Sequence, residues 1–342
     1  MGRKNAREEL LKWHERFLEG AKKQGVQSHV AAKIFDHICG FADFGFCKSH
    51  AASFAVLCYR SAYLKYYYPA EFYCALLNNQ PMGFYEPEVI IGDAKRHGIP
   101  ILPVDINRSM WNCTIEDGSV RTGFRYVKGI GEEKGNRIIT ARSQGMYASL
   151  QDLSDRSGLD NRSLQNLVAV GALSAIKRSR RQLLWEAGTI RTAGLTGINC
   201  AEAKERLPIP EMDAGEEIIT DYIFQGFSPS HHIIKLYRKK LDKVGAVPSS
   251  RLMHCPSGAR VLVAGYMVCL QMPPTARGKF SFITLEDEDG LINLVVRPEV
   301  YKACRTVIRL EQFLLVEGIV EKKDSLINIK ASKVESLTSS FR

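Results

Sequence analysis

Residues 44–72, FGFCKSHAASFAVLCYRSAYLKYYYPAEF, combine basic, hydroxyl and aromatic side chains in one predicted helix that ends before Pro69. Four polar side chains recur there at separations of four, seven and seven positions, namely Ser49, Ser53, Arg60 and Tyr67. At 3.6 residues per turn these positions share one face. Arginine and lysine form charge-assisted hydrogen bonds with phosphate, and tyrosine can stack on a base, so this face suits a phosphate-rich ligand. The alternative is an ordinary amphipathic helix with a solvated polar face and an apolar back that includes Phe54, Leu57 and Leu64.

A glycine-rich turn is the second motif that could bind phosphate. In Val127-Lys128-Gly129-Ile130-Gly131 two glycines flank one apolar residue, and a helix is predicted directly afterwards. Glycine lets the backbone bend tightly and bring consecutive N–H groups against a phosphate, and the helix N-terminus adds a partial positive charge. Ile130 is expected to anchor the turn in the core. We predict that Lys128, Gly129, Ile130 and Gly131 hold a nucleic-acid backbone; the alternative is a plain turn before a helix.

A β-rich pattern begins near residue 260. Five short strands are predicted at 261–270, 280–285, 291–296, 313–321 and 326–331, with a helical segment at 298–305. This order is typical of an OB-fold barrel. Arg277, Lys279 and Phe280 lie at or next to the turn between the first two strands and are candidates for contacts to single-stranded nucleic acid. Phe280 and Phe282 could equally lie in the core.

Several other segments show helical spacing. The helix that begins near Ser28 carries apolar residues at separations of four, four and three, which predicts a core stripe made of Val30, Ile34, Ile38 and Phe41. The turn at 171–173 looks like a second, degenerate glycine hairpin. The basic run KRSRR at 177–181 is either a solvated face or a contact to a phosphate backbone. Residues 189–212 contain two prolines and few apolar repeats, and are expected to form a linker.

Composition narrows the function classes. The 342 residues include 47 Lys+Arg and 37 Asp+Glu, a net charge of +10, which favours a polyanionic partner slightly. The nine cysteines are scattered without a C-x-x-C pair, which argues for reduced thiols in the cytosol. No apolar run reaches transmembrane length and the amino terminus is charged rather than signal-like, so we expect a cytoplasmic protein without membrane contact.

Candidate metal ligands are few. His29 and His37 lie two turns apart on one predicted helix without a third ligand nearby. The D-E-D triplet at 287–289 precedes a glycine between two predicted strands, where acidic residues and glycine make a turn. We predict neither a bound metal or cofactor nor a set of catalytic residues in this chain.

Taken together, several stretches resemble a known family. Residues 44–72, LLNNQPMGFY at 76–85, LPVDINRS at 102–109 and the hairpin at 129–131 follow one another as in bacterial C-family DNA polymerases, the alpha subunit type of DNA polymerase III. The sequence is most similar to the error-prone branch, and the resemblance covers nearly the whole chain. It implies a multidomain fold: mainly α-helical fingers over 1–104, a tandem helix-hairpin-helix DNA-binding domain over 105–188, a linker with helices over 189–257, and an all-β five-stranded OB-fold barrel over 258–342.

For the complete enzyme, the resemblance implies DNA-templated nucleotidyl transfer with Mg2+ in DNA replication and damage-tolerant repair synthesis. Four fingers residues would lie near the incoming nucleotide or template: Lys48, Ser49, His50 and Arg60. The family's metal-binding aspartates lie in a palm domain before the fingers, and we find no counterpart in this sequence. We therefore expect the chain to bind primer–template and single-stranded DNA, to need a palm partner, and not to polymerise DNA alone.

A sliding clamp is a further partner of some alpha subunits, which bind it through a glutamine-led apolar-aromatic peptide in about the region of the linker. The nearest match here, QLLW at 182–185, lies inside a predicted helix. We therefore do not expect clamp binding through this peptide.

Two other functions stay open. A non-enzymatic DNA-binding or assembly protein made from the same domains would bind DNA without a palm partner. A truncated gene fragment would expose the surface of its fingers helices that should face the palm.

Overall fold

The computed structural model describes residues 10–43, 48–83, 85–190, 209–272, 280–324 and 326–340. They divide into two units, Met1–Tyr66 and Tyr67–Arg342, which we describe separately. Within the described ranges, no helix is long and apolar enough to cross a membrane.

The first unit contains the helices α1 (His14–Lys23), α2 (Ser28–Asp43) and α3 (Lys48–Tyr67). Helices α1 and α2 pack through an aromatic cluster. The ring of Phe35 lies 4.7 Å from that of His14 and 5.3 Å from that of Phe17, measured between ring centroids.

The buried side of α2 differs from the predicted stripe. Ala31, Phe35 and Cys39 are buried, whereas Val30 and Ile34 are exposed. The contact of Phe35 with α1 fixes the rotation of α2 about its axis, so the positions one residue earlier turn toward solvent. The prediction is therefore wrong by one position for Val30 and Ile34. Ile38 is half-buried, and the side chain of Phe41 lies outside the described residues.

Helix α3 forms over the predicted stretch, and Pro69 opens the next helix. Its predicted apolar back is not covered by the described chain: Phe54 and Leu57 are 52% and 54% exposed. Tyr59 and Tyr66 are exposed as well. Apolar and aromatic side chains of α3 are therefore exposed to solvent within the described chain.

The second unit begins with a small α/β layer, made of α4 (Pro69–Asn78), α5 (Pro87–Arg96), β1 (Ile101–Leu102), β2 (Thr114–Glu116) and β3 (Ser119–Arg121). The strand order is β1-β3-β2, with β1 parallel and β2 antiparallel to β3. Tyr73 and Leu77 of α4 pack with Ile91 of α5 and Val120 of β3 in the core of this layer.

A helical domain follows, made of α6 (Glu132–Arg142), α7 (Leu150–Ser157), α8 (Asn161–Ala169), α9 (Arg180–Thr189) and α10 (Ala214–Gln225). Its apolar core includes the fully buried Ile138, Leu153 and Leu164. Ser149, Asp160 and Ser179 cap α7, α8 and α9 with their side-chain oxygens. Such caps satisfy amides that a helix leaves unpaired at its start, so the beginnings of these helices are fixed by local sequence.

The carboxy-terminal part is a closed barrel in the order β4-β5-β6-β8-β7. A 3-10 turn (Ile233–Leu236) and the short helices α11 (Arg238–Lys243) and α12 (Ser249–Leu252) lead into it. Its elements are β4 (Arg260–Gln271), β5 (Ser281–Glu286), β6 (Leu291–Val296), α13 (Pro298–Leu310), β7 (Phe313–Lys323) and β8 (Leu326–Ser336), followed by α14 (Leu337–Ser340). The β6–β8 pair is parallel and the other pairs are antiparallel. The predicted fold class, helical domains followed by a five-stranded OB-type barrel, is confirmed.

Candidate nucleic-acid interface

The glycine hairpin at 127–131 is a tight turn between a 3-10 turn (Phe124–Tyr126) and α6. Gly129 has a φ of +79°, and a Cβ at this position would lie 2.9 Å from Nδ2 of Asn166. Both the backbone conformation and the lack of space therefore require glycine. Ile130 is 5% exposed and belongs to the core of the helical domain. Gly131 is the residue that immediately precedes α6.

The hairpin presents amide groups to solvent. The amide of Ile130 donates to the carbonyl of Val127 at 3.1 Å. The amides of Gly129 and Gly131 have no acceptor in the part of the chain that the structure describes, and both residues are exposed. Unpaired amides at the start of a helix, together with the helix dipole, form a site that favours an anion.

Two neighbouring helices hold the hairpin in place. The backbone amide of Lys128 donates to the carbonyl of Phe224 at 2.8 Å, and the Lys128 carbonyl accepts from Nδ2 of Asn166 at 2.6 Å. Because both backbone groups of Lys128 are bound, its exposed side chain projects from a fixed point. Asn166 lies on α8 and is buried, so this support comes from the interior of the domain.

The outer face of the barrel carries two exposed aromatic side chains. Phe280 and Phe282 are 40% and 41% exposed, whereas Ser281 and Ile283 between and beside them are buried. This alternation points both phenyl rings outward. The alternative that either ring lies in the core is excluded. The predicted partners Arg277 and Lys279 lie outside the described residues.

The four predicted fingers residues lie along α3 in the first unit. Lys48 is its first residue, and Ser49, His50 and Arg60 are exposed. The imidazole of His50 lies edge-on to Phe54, with 4.4 Å between ring centroids. The hairpin residues thus lie together in the second unit, and the four predicted fingers residues lie on one helix of the first unit.

Comparisons with known proteins fit this geometry. Residues 98–183 match the family model described as a helix-hairpin-helix motif, and residues 261–337 match the OB-fold nucleic acid binding domain. An error-prone DNA polymerase of Methylococcus capsulatus is 36% identical over 96% of this chain and 33% of its own length. The chain is similar to error-prone DNA polymerases over nearly its whole length. The enzyme of Corynebacterium efficiens is 39% identical over 98% of this chain and 31% of its own length. The chain thus spans about a third of the length of the curated polymerases it matches.

The turn at 171–173 differs from the first hairpin. Gly171 has a φ of +73° and Ala172 is buried, but α9 begins only at Arg180. Instead of an open anion site, the guanidinium of Arg180 lies against Gly171, within 2.9 Å of where a Cβ would stand. Arg180 is bound in turn to Asp221 at 2.9 Å.

The basic run at 177–181 is largely committed to internal contacts. Arg178 pairs with Glu186 at 2.6 Å, Arg180 with Asp221, and Arg181 with Glu216. Because each of these guanidinium groups already has a carboxylate partner, a phosphate would have to compete for it. The three arginines therefore act mainly as internal ion-pair partners: Arg178 is bound to α9, and Arg180 and Arg181 connect α9 to α10.

The acidic turn at 287–289 has a structural role. The buried carboxylate of Asp287 accepts hydrogen bonds from the amides of Ser249, Asp289 and Gly290 at 2.7–2.9 Å. Glu288 is bound to Arg238. No cluster of three or more His, Cys, Asp or Glu residues in the described ranges is arranged to hold a metal ion.

The glutamine-led peptide at 182–185 is part of α9. The Gln182 side chain completes the cap of this helix with Ser179, and Leu183 is buried in the core. Trp185 is exposed, but the peptide cannot extend along a partner without unfolding α9.

Sequence reasoning missed the residues that support the hairpin. Asn166 on α8 lies 38 positions from Lys128. Asp160, which caps α8, lies 26 positions from Lys134 on α6. The only local signal was the capping pattern that predicts where α8 begins. Contacts over such separations are set by the packing of helices, which a periodic pattern does not specify.

Proposed function

We propose that this chain supplies the DNA-binding part of an error-prone DNA-directed DNA polymerase: fingers, a tandem helix-hairpin-helix domain and an OB-fold domain. In this proposal the polymerase carries out replication and damage-tolerant repair synthesis in the cytoplasm. Its palm domain is formed by residues outside the sequence described here. The observation that carries the proposal is the hairpin, where the unpaired amides of Gly129 and Gly131 stand at the start of α6. Similarity to error-prone polymerases over 96% of the chain supports it.

The hairpin would hold the duplex by its backbone. The amides of Gly129 and Gly131 would donate to phosphate oxygens, and the exposed ammonium of Lys128 would add charge. Contacts of this kind position DNA without reading its sequence, as a polymerase that copies any template requires.

The OB-fold domain would bind the unpaired template strand. Bases would stack on Phe280 and Phe282, and Arg277 and Lys279 would contact phosphates. Stacking of this kind tolerates any base, since every base has a π-face.

The fingers would contribute Lys48, Ser49, His50 and Arg60 near the incoming nucleotide or the template. In the complete enzyme, Mg2+ held by palm carboxylates would stabilise the attacking and leaving oxygens of nucleotidyl transfer. We propose no metal ligand or catalytic residue in this chain, and no polymerisation by it alone.

Substitution of Gly131 tests the hairpin directly. Its φ of −83° suits any residue, and no atom lies within 4 Å of where a Cβ would stand. Gly131→Asp and Gly131→Asn have nearly the same shape and both suit a helix start, but only aspartate repels phosphate. Fluorescence anisotropy of a labelled primer–template over a salt series would compare them. We expect binding that weakens linearly in log salt for the wild type and for Gly131→Asn, with a smaller slope and weaker binding for Gly131→Asp.

The proposal fails if the folded wild-type chain does not bind DNA at low salt, or if Gly131→Asp and Gly131→Asn bind equally. Gly188→Asp provides a matched control elsewhere, because α9 leaves open space at Gly188. It adds the same charge away from the hairpin and should bind like the wild type.

A non-enzymatic DNA-binding protein is the second candidate. One observation favours this candidate. The hairpin and the aromatic barrel face both lie in the unit Tyr67–Arg342, and no residue of the first unit forms part of either. Binding at physiological salt by the chain alone, unchanged by Arg60→Ala on α3, would support this candidate. Tight binding only when the polymerase palm is added would exclude it.

A further inference from the structure

The ammonium group of Lys134 lies beside the hairpin backbone, and a carboxylate already binds this ammonium group. Its Nζ atom lies 3.4 Å from the carbonyl oxygen of Gly129, 2.6 Å from Oδ2 of Asp160 and 2.8 Å from Oγ of Ser163. The lysine comes from α6, whereas Asp160 and Ser163 belong to the start of α8. A single ammonium group thus links the hairpin to the neighbouring helix.

We propose that Asp160 withholds Lys134 from DNA phosphate and thereby limits how tightly the hairpin binds the duplex backbone. This inference rests on the proposed function, because it concerns the affinity of the same anion site.

Asp160 occupies a set of donors that would suit an external anion. Its Oδ1 accepts from the amide of Ser163 at 2.9 Å, and its Oδ2 accepts from the Ser163 hydroxyl and from Lys134. An amide at a helix start, a hydroxyl and an ammonium are donors that also bind phosphate oxygens. The hydrogen bond from Lys134 holds the pKa of the Asp160 carboxyl well below its usual range, so this carboxyl is charged at neutral pH.

The ion pair is accessible to a competing phosphate. The side chains of Lys134 and Asp160 are 32% and 52% exposed. Water and salt screen such pairs, so their net contribution to stability is small. The flexible four-carbon stem of lysine lets its ammonium change partner without movement of α6.

Two acidic side chains lie beside the hairpin, so the net charge there depends on whether Lys134 is paired with Asp160. Glu132 and Glu133 occupy the first turn of α6 and are exposed, so they oppose a phosphate at this point. While Asp160 neutralises Lys134, the side chains at the start of α6 carry net negative charge. Binding then depends on the hairpin amides and Lys128, and release of Lys134 would add one cation beside Gly129.

The decisive variant is Asp160→Asn. Asparagine caps a helix as well as aspartate does, so α8 should still begin at the same residue. The full chain would be titrated onto a labelled DNA duplex by fluorescence anisotropy at several salt concentrations. We expect roughly threefold to tenfold tighter binding at low salt. The plot of log K against log salt should steepen by about 0.9, the value for one more neutralised phosphate.

A double-mutant cycle separates release of Lys134 from simple loss of negative charge. Lys134→Gln alone should weaken binding, because it leaves the carboxylate of Asp160 unneutralised beside the hairpin. Combined with Asp160→Asn, it should remove the whole gain. Glu133→Gln is the charge control: Glu133 neighbours Lys134 and has no ion pair within the described ranges. It should raise affinity slightly and leave the salt slope unchanged.

The inference is overturned if the double variant binds as tightly as Asp160→Asn alone, or if Glu133→Gln gives an equal gain in affinity and slope. It is also overturned if Asp160→Asn binds no more tightly than the wild type while its Tm is unchanged. The failure of the proposed function looks different: Gly131→Asp would then bind like the wild type. If Gly131→Asp weakens binding and Asp160→Asn has no effect, only the role of Asp160 is refuted.

Discussion

The carboxylate of Glu286 on β5 lies directly against Gly92 on α5. A Cβ at Gly92 would stand 2.5 Å from Oε1 of Glu286, and the same oxygen accepts a 2.7 Å hydrogen bond from Nη1 of Arg96. Glu286 is fully buried. Glycine lowers the stability of a helix interior, so its presence in α5 is explained by the close packing of the barrel on this helix.

Replacement of Gly92 by alanine should destabilise the second unit. The added methyl group would force Glu286 away from Arg96 or shift α5, at a cost of about 1–3 kcal/mol that exceeds the helix-propensity gain of roughly 1 kcal/mol. Urea unfolding followed by circular dichroism measures the difference. Gly188→Ala on α9 is the control, because the space around Gly188 is open, and it should be neutral or slightly stabilising. Equal stabilities of the two variants would contradict the packing argument.

Glu286 should also make stability depend on pH. Burial, together with the nearby carboxylates of Asp287 and Asp93, raises its pKa from 4.5 to about 7 despite the bond from Arg96. The folded state then holds a proton that the unfolded state releases, so the free energy of unfolding falls as pH rises from about 4.5 to about 7. Glu88, whose pKa burial raises to about 8, acts in the same direction. His232, whose pKa burial lowers to about 3, opposes both below pH 6.5.

The variant Glu286→Gln isolates this contribution. Between about pH 5 and pH 8 it should lose less stability than the wild type, by on the order of 2 kcal/mol. Chemical denaturation at several pH values provides the comparison, with Glu321→Gln on the barrel surface as the control. Parallel pH profiles for the wild type and Glu286→Gln would show that the carboxyl titrates normally.

Removal of the Asn166 side chain should weaken DNA binding from inside the domain. Asn166→Ala leaves the carbonyl of Lys128 without its 2.6 Å donor, so the hairpin loses one of its two backbone supports. We expect about 1–2 kcal/mol less stability and a smaller salt slope for duplex binding. Asn161→Ala, on the same helix but away from the hairpin backbone, should retain the wild-type slope. An unchanged slope in a folded Asn166→Ala would mean that this support does not position the phosphate site.

The aromatic barrel face should discriminate between single and double strands. Phe282→Ala removes a stacking surface worth about 1–3 kcal/mol per base, so binding to a single strand should weaken while duplex binding at the hairpin stays constant. Ile319→Ala, an exposed apolar side chain on β7, is the matched control. Anisotropy with both DNA forms measures the ratio of affinities. Equal losses for Phe282→Ala and Ile319→Ala would contradict base stacking at this face.

Features encoded within a few residues were predictable, and those set by distant packing were not. The glycines at 129 and 131 indicated a turn directly before a helix, and the five short strands with a helical segment between the third and fourth indicated a barrel. The rotation of α2 was missed because it depends on which aromatic side chain contacts α1. The sequence around the three arginines of the basic run did not indicate their ion-pair partners, which include the distant Asp221 on α10. The same holds for Gly92 and Glu286, which meet only after the barrel has packed on α5.

Arg125 connects the end of α4 to the hairpin, and its replacement should show whether that link positions the DNA site. Its guanidinium donates to the carbonyls of Asn78 at 2.5 Å and Gln80 at 3.0 Å, where a helix end favours a cation. Arg125→Lys keeps the charge but cannot bridge both carbonyls, so we expect faster amide hydrogen exchange at residues 124–131 and weaker duplex binding. Arg305→Lys, exposed on α13, should change neither quantity. Unchanged exchange at the hairpin in Arg125→Lys would show that α4 and the DNA site are independent.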